Sequence, residues 1–390
     1  MGSAELFRVE VEQLEPGLPL RFDLQTKAGL SLASAGTIVT ADLKENWIKK
    51  GFSTAYTKDD PSTKNADPTL QPYDPKLVKL LEYHLDRSVD TILQTTDQLA
   101  QGITPKYSEL RGMVDEIVTD IESDMAVVLG SFLGGSTADM TSADRVFARR
   151  STQMSILSMV VAVELGLSAD DRQTVGVAGM LHDVGLYECM VGQVKTLSDK
   201  QHFADPYFNH PVISSMLVEP MLRASPKACH VVSQVHEQPN GGGFPKGIQQ
   251  NRISPLARVL SVADAYLTMT SKWQPAPLPD GKNLHPSDAI ACLMFHAAKG
   301  RFDTDVVKAL VRVMSLYPIG CQVMLSNKSV GVVLRSTPDS PTKPIVRVDQ
   351  GRSAIIDLTK SQLTIVQPIT DAEAAQNRID KSQIGQILWR

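Results

Sequence analysis

Residues 136–317 are mostly helical by pattern and are bracketed on both sides by short β-type runs. This change of periodicity, from two to 3.6 and back, limits the fold more than any other feature of the chain. Upstream, FRVEV, PGLPLRFDL and GLSLASAGTIVT are each broken by Gly or Pro, and ADLKENWIKKG reads as a short helix ending at Gly51. Three prolines and few apolar groups make 59–73 a linker. Asp74 with Pro75 then starts a helix whose stripe is Leu77, Leu81, Leu85, Val89 and Ile92. A second amphipathic helix runs from about Tyr107 through Leu110, Met113, Ile117, Ile121, Met125, Val128 and Phe132. Such a pair packs on the chain's own core or on the second subunit of a homodimer. Ser168 and Asp171 form a capping-box start for a helix that runs into His182. From Tyr317 the texture reverts to β: YPIGCQVMLS, SVGVVLRS, KPIVRVDQ and SAIIDLT.

The expected organisation is a β-rich module at 1–58, a linker at 59–73 and connecting helices at 74–135. A helical domain at 136–317, a β appendage at 318–370 and a tail at 371–390 follow. The fold class is mainly α, with small β-rich modules at either end. Hydrophobic content of 42% suffices for a large globular core. A net charge of −4 gives no electrostatic reason to bind a nucleic acid polymer or an anionic membrane. Four cysteines without a CxxC spacing read as free thiols in a reducing compartment. No run approaches the about 18 apolar residues of a membrane span, so the expected location is the cytoplasm.

The chemistry-bearing residues come in order: HDVG at 182–185, HP at 210–211, HEQPNGGGFPKG at 236–247 and Asp264 within VADAYLTMTS. Imidazoles and carboxylates suit first-row divalent metals. Three consecutive glycines allow close approach to a bulky anion. Taken singly, each is ordinary: an HD dipeptide can be the polar end of a helix, His210 a helix-start residue and Asp264 a cap. His202, His230, His285 and His296 read as structural, and His84 as a surface residue.

Together, in this order and at these distances, the segments resemble the HD-GYP family of metal-dependent cyclic di-GMP phosphodiesterases. The resemblance covers roughly residues 140–370 and implies an HD-type helical bundle for the central domain. Carried over residue by residue, it makes His182, Asp183, His210, His236 and Asp264 the metal ligands, with His182 and Asp183 at the catalytic centre. It puts Gly242, Gly243, Phe244, Pro245 and Arg258 on the ligand-binding side.

The departures are as telling. Arg150 stands where the first metal-binding histidine belongs, and a guanidinium cannot ligate a cation. It can pair with carboxylates, and so stand in electrostatically for an ion beside Asp183 and Asp264. Leu186 replaces the lysine of HDxGK, Val235 one of two paired histidines and Phe244 the tyrosine of Gly-Tyr-Pro. The resemblance therefore implies a divalent cofactor, iron or manganese, with one ion or none retained. Three readings of function stay open: a cyclic di-GMP phosphodiesterase weakened or silenced by these losses; a non-catalytic regulator that binds cyclic di-GMP, a related dinucleotide or a signalling protein partner; or a scaffold whose core is a stable helical bundle and whose glycine loop serves protein contact.

Overall fold

A computed structural model of the chain describes residues 6–14, 20, 24–28, 31–33, 37, 39–57, 75–133, 142–186, 206–270, 284–317, 319, 321–337, 339–349 and 353–369. The expected linker, the expected tail, Asp74, Cys189 and His202 lie outside them. By contacts the chain divides into two compact units. The first is Met1–Tyr83, Asp124–Thr137 and Met314–Ala375; the second is His84–Ser123, Ala138–Val313 and Gln376–Arg390.

The first unit carries both sheets. The N-terminal one has strands β1 (Phe7–Glu10), β2 (Leu24–Gln25), β3 (Ser31–Ala33) and β4 (Thr54–Thr57) in the antiparallel order β1-β4-β2-β3. Helix α1 (Ala41–Lys49) lies between β3 and β4 in sequence, and Thr40 Oγ1 caps it by accepting from Leu43 N at 2.9 Å. Gly51, in the left-handed region at φ 85°, ends it as expected. Val9, Val11, Leu24, Trp47 and Ala55 close a small core beneath the sheet. Strand β4 is not among the expected runs, yet it pairs with β1 and β2 at the sheet's centre.

The second sheet has β5 (Gln322–Leu325), β6 (Val330–Arg335), β7 (Ile345–Asp349), β8 (Ser353–Asp357) and β9 (Ile365–Ile369) in the order β8-β7-β6-β5-β9. The first four are the β-type runs of the sequence. The fifth returns to pair with β5. Buried Arg347 on β7 donates to the Leu20 carbonyl at 2.6 Å.

Helices α2 (Pro75–Ala100) and α3 (Tyr107–Leu133) carry residues of both units. The helical dihedrals of α3 break at Asp124, where the unit boundary falls. Within the second unit, Arg87 on α2 pairs with Glu116 on α3 at 2.8 Å. His84 sits 2.5 Å from the buried carboxylate of Asp120, with only 12% of its side chain exposed. The surface reading of His84 is corrected by this pairing.

The rest of the second unit is the helical core: α4 (Ala143–Glu164), α5 (Ala169–Leu181), α6 (Pro206–Val218), α7 (Pro226–Val232), α8 (Pro255–Thr270), α9 (Pro286–Ala298) and α10 (Thr304–Met314). Helix α4 is buried along most of its length, through Met154, Leu157, Met159, Val160 and Val161. A helix apolar all round is a central one. It packs on α5 and α8. A Cβ on Gly179 of α5 would come within 2.8 Å of Ser155 Cα on α4, so the two backbones touch there. The Ser168–Asp171 cap forms as its spacing predicts, with Asp171 N 3.1 Å from Ser168 Oγ. Each fully buried Leu or Val here contributes about 1.5–3 kcal/mol. The chain is thus mainly α, a helical core with small β modules toward its two ends.

Candidate metal centre

The site starts where α5 ends. His182 is the C-cap residue of α5, and its Nδ1 lies 2.8 Å from the Gly179 carbonyl. That carbonyl takes the Nδ1 proton and leaves Nε2 facing Asp183 Oδ2 at 3.1 Å. Two residues on, Gly185 donates its N–H to Ser214 Oγ at 2.9 Å. A Cβ at Gly185 would sit 2.6 Å from Ser214 N and 2.7 Å from the His210 carbonyl. Only glycine lets α6 press against this turn, and the close approach carries His210 to Asp183.

The His210-Pro211 dipeptide has a local logic. Pro211 lies inside α6 and has no N–H for the carbonyl four residues back, which is that of Tyr207. His210 Nδ1 takes that carbonyl instead, at 2.5 Å. The tautomer is fixed, and Nε2 points to Asp183 Oδ1 at 3.2 Å and to His236 Nε2 at 3.0 Å.

Arg150 closes the other side. Its Nη2 donates to Asp264 Oδ1 at 2.5 Å and to Thr268 Oγ1 at 2.9 Å, both on α8. Its Nε lies 3.8 Å from Asp183 Oδ2. The side chain is 9% exposed, and Nε and Nη1 make no hydrogen bond among the described residues. The second oxygen of Asp264 faces His236 Nδ1 at 3.5 Å. Thr268 was not picked out from the sequence: a threonine one turn after an aspartate on a buried helix carries no signal.

Electrostatics follow from this crowding. Burial works against charging His182, but the neighbouring Asp183 carboxylate outweighs it and raises the imidazole above its ordinary pKa. Burial would lift Asp183, yet the charges and hydrogen bonds of His182 and His210 hold its carboxyl well below the usual range. Burial pushes His236 down to about 4, against the pull of Asp264. Asp183 is therefore ionised at neutral pH and His236 is neutral, the states in which each can donate to a cation.

The glycine turn hangs from Glu237. This buried carboxylate accepts from Lys246 N at 2.8 Å and Ile248 N at 3.0 Å. Gly243 cannot carry a side chain, since a Cβ would lie 2.4 Å from the His236 carbonyl. Gly242 is less confined, with only the side chains of Asn240 and Gln238 near it, at 3.2 and 3.3 Å. The Phe244 ring stacks on His236, centroids 4.7 Å apart and 20° between planes. It also meets Phe208 edge-on at 5.2 Å. Pro245 follows in the turn, half-buried. Arg258 is not brought to this group: its guanidinium pairs with Asp303 at 2.9 Å and donates to the Gln250 carbonyl. The expected phosphate-facing cation is instead a clamp between α8 and the start of α10. Val235 and Leu267, at positions where the resemblance has polar groups, are buried in the core.

Asp183, His210 and His236 each bring one ligand atom within 4.8 Å of the others. Adjacent donors stand 3.0 and 3.2 Å apart, as about a single ion bound at roughly 2.0–2.2 Å. One carboxylate and two imidazoles with pinned tautomers suit iron, manganese or zinc. These three residues fit a divalent ion. The space between Asp183 and Asp264 does not, because the Arg150 guanidinium is already there.

The HD domain family model matches residues 138–306. The chain is 28% identical over 240 residues to the cyclic di-GMP phosphodiesterase PA4108 of Pseudomonas aeruginosa, covering 60% of this chain and 54% of that protein. It is 23% identical over 173 residues to the 3'3'-cGAMP-specific phosphodiesterase 1 of Vibrio cholerae, covering 42% and 37%. With the cyclic di-GMP phosphodiesterase PdeB of Borreliella burgdorferi it shares 21% over 233 residues, 59% and 58%. The match thus spans between 37% and 58% of the length of these relatives. Among solved structures, Bd1817, a HDG"Y"P protein from Bdellovibrio bacteriovorus, aligns with 78% of this chain and 98% of its own at 18% identity and a TM-score of 0.43. That structural likeness is loose, and the assignment rests on the sequence matches. Among the described residues no helix is long and apolar enough to cross a membrane. Residues 138–306 are thus similar to an HD domain, and the motifs within them resemble those of the HD-GYP kind.

Proposed function

We propose that this protein is a cytoplasmic phosphodiesterase-type signalling protein that takes a cyclic dinucleotide at a one-ion centre, with hydrolysis weakened relative to a two-ion site. The observation that carries this reading is the pairing of a competent triad, Asp183, His210 and His236, with a guanidinium that fills the neighbouring position. The named activities of the relatives, on cyclic di-GMP and 3'3'-cGAMP, supply the substrate class.

A divalent ion bound by the triad would lower the pKa of a water and neutralise phosphoryl charge. The remaining work falls to the chain. Asp183 stays ionised because the charges and hydrogen bonds of the neighbouring His182 and His210 favour its charged form. His236 stays neutral and available at Nε2. Arg150 pairs with Asp264 and lies beside Asp183, and so balances carboxylate charge in a buried site without a second cation. What Arg150 cannot do is activate a water as a second ion would, since a guanidinium only donates hydrogen bonds and has no open coordination position.

The same observation favours a second reading, a regulator that binds the dinucleotide without cleaving it. Hydrolysis of cyclic di-GMP with manganese or iron added separates the two. Slow, ion-dependent turnover that is lost in His210→Ala supports the enzyme. Tight binding without turnover supports the regulator, and neither binding nor turnover sinks both.

A further inference from the structure

Two aromatic side chains beside the triad have no role in what precedes. Tyr207 and Phe208 occupy the first turn of α6, only two and three residues before His210. Their rings meet edge-on at 5.5 Å. Phe208 meets Phe244 edge-on at 5.2 Å, and Tyr207 lies 5.8 Å from Phe244. Phe244 in turn stacks on His236, and the Tyr207 ring is 5.5 Å from that of His210. A continuous aromatic surface therefore runs outward from two ion-facing histidines. Its outer members reach the surface: Tyr207 is 38% exposed and Phe208 40%.

Core packing accounts for Phe244, which is held between His236 and Phe208. It does not account for the exposure of the outer pair. An apolar ring left in water costs about 25 cal/mol for each Å² that could have been buried. Partly exposed aromatic rings beside a site fit for a phosphate-binding ion suit one ligand chemistry well: a purine carried by a ribose away from its phosphate. Stacking of this kind tolerates any base, because every base has a π-face. Edge-to-face support from a neighbouring ring holds the platform in one orientation.

We propose that Tyr207 and Phe208, backed by Phe244, form a stacking platform for a purine base whose phosphate lies at the Asp183–His210–His236 centre. The proposal rests on the dinucleotide reading for its substrate but is tested apart from it.

The experiment measures binding of guanosine 5'-monophosphate, ribose 5-phosphate and cyclic di-GMP by calorimetry, with manganese present. The proteins are wild type, Tyr207→Leu, Phe208→Leu and Phe208→Trp. Leucine keeps apolar bulk and removes the ring, whereas tryptophan keeps a ring. Wild type should bind the nucleotide about 5- to 150-fold more tightly than the base-free sugar phosphate. That margin should shrink in both leucine variants and return in Phe208→Trp, with ribose 5-phosphate affinity and manganese content unchanged throughout. No margin in wild type, or a full margin in both leucine variants, overturns the platform. A ring-dependent margin without any binding of cyclic di-GMP keeps the platform and rejects the dinucleotide. Equal binding of cyclic di-GMP by wild type and both leucine variants does the reverse.

Discussion

Arg150 on α4 donates to Asp264 on α8 at 2.5 Å, and the same guanidinium lies 3.8 Å from Asp183. One side chain thus links the triad's own carboxylate, Asp183, to Asp264 beside it. The arrangement fixes charge where a cation would otherwise be needed, and its consequences are measurable.

Removing the guanidinium takes the permanent cation away from two poorly solvated carboxylates, leaving only imidazoles beside them. Arg150→Met should destabilise the protein by roughly 3–5 kcal/mol in denaturant unfolding. Excess manganese should recover part of that loss, since the emptied position then takes a cation. A neutral substitution would show that Arg150 carries no structural charge balance.

The two neighbouring glycines should behave differently. Gly243→Ala drives a methyl into the His236 carbonyl and the Gln238 amide, 2.4 and 2.3 Å from its Cβ. A cost of about 1–3 kcal/mol is expected. Gly242→Ala meets only movable side chains and should stay within about 0.5 kcal/mol. Thermal melts of the pair decide this, and equal losses would refute the turn as described.

Acid should weaken the ion-free protein through His236. Its folded pKa of about 4 lies below the ordinary 6.5, so the unfolded chain binds the proton more readily. The contribution is fully present above 6.5 and is lost as pH falls from there toward 4. His236→Gln should flatten that limb of the stability curve. His182 runs the other way, with a raised pKa whose contribution is lost as pH rises, so the difference between variant and wild type is the quantity to follow. An unchanged limb in His236→Gln would contradict the assignment.

Much of this was legible in the chain. The Ser168–Asp171 cap, the stop at Gly51 and the helical pattern between β flanks all follow from local chemistry that tertiary context did not override. The order of HDVG, HP and the glycine turn marked the residues that meet at the centre. Strand β4 escaped notice because its four residues gain their place only by pairing with β1 and β2. The pairing of Arg258 with Asp303 was not legible, because the two lie 45 positions apart in sequence. His84 looked like a surface residue because Asp120 belongs to the next helix. Tyr207 and Phe208 were not singled out in the sequence, and only the folded chain sets them against Phe244.

The most direct test of the central claim is the number of divalent ions per chain at saturation, measured by elemental analysis of protein dialysed against manganese. Wild type should hold one, His210→Ala should lose it with an affinity drop of at least about 10–100-fold, and Arg150→His should gain a second. Two ions in wild type, or one that survives in His210→Ala, would contradict a single centre built from Asp183, His210 and His236 with Arg150 in place of the other ion.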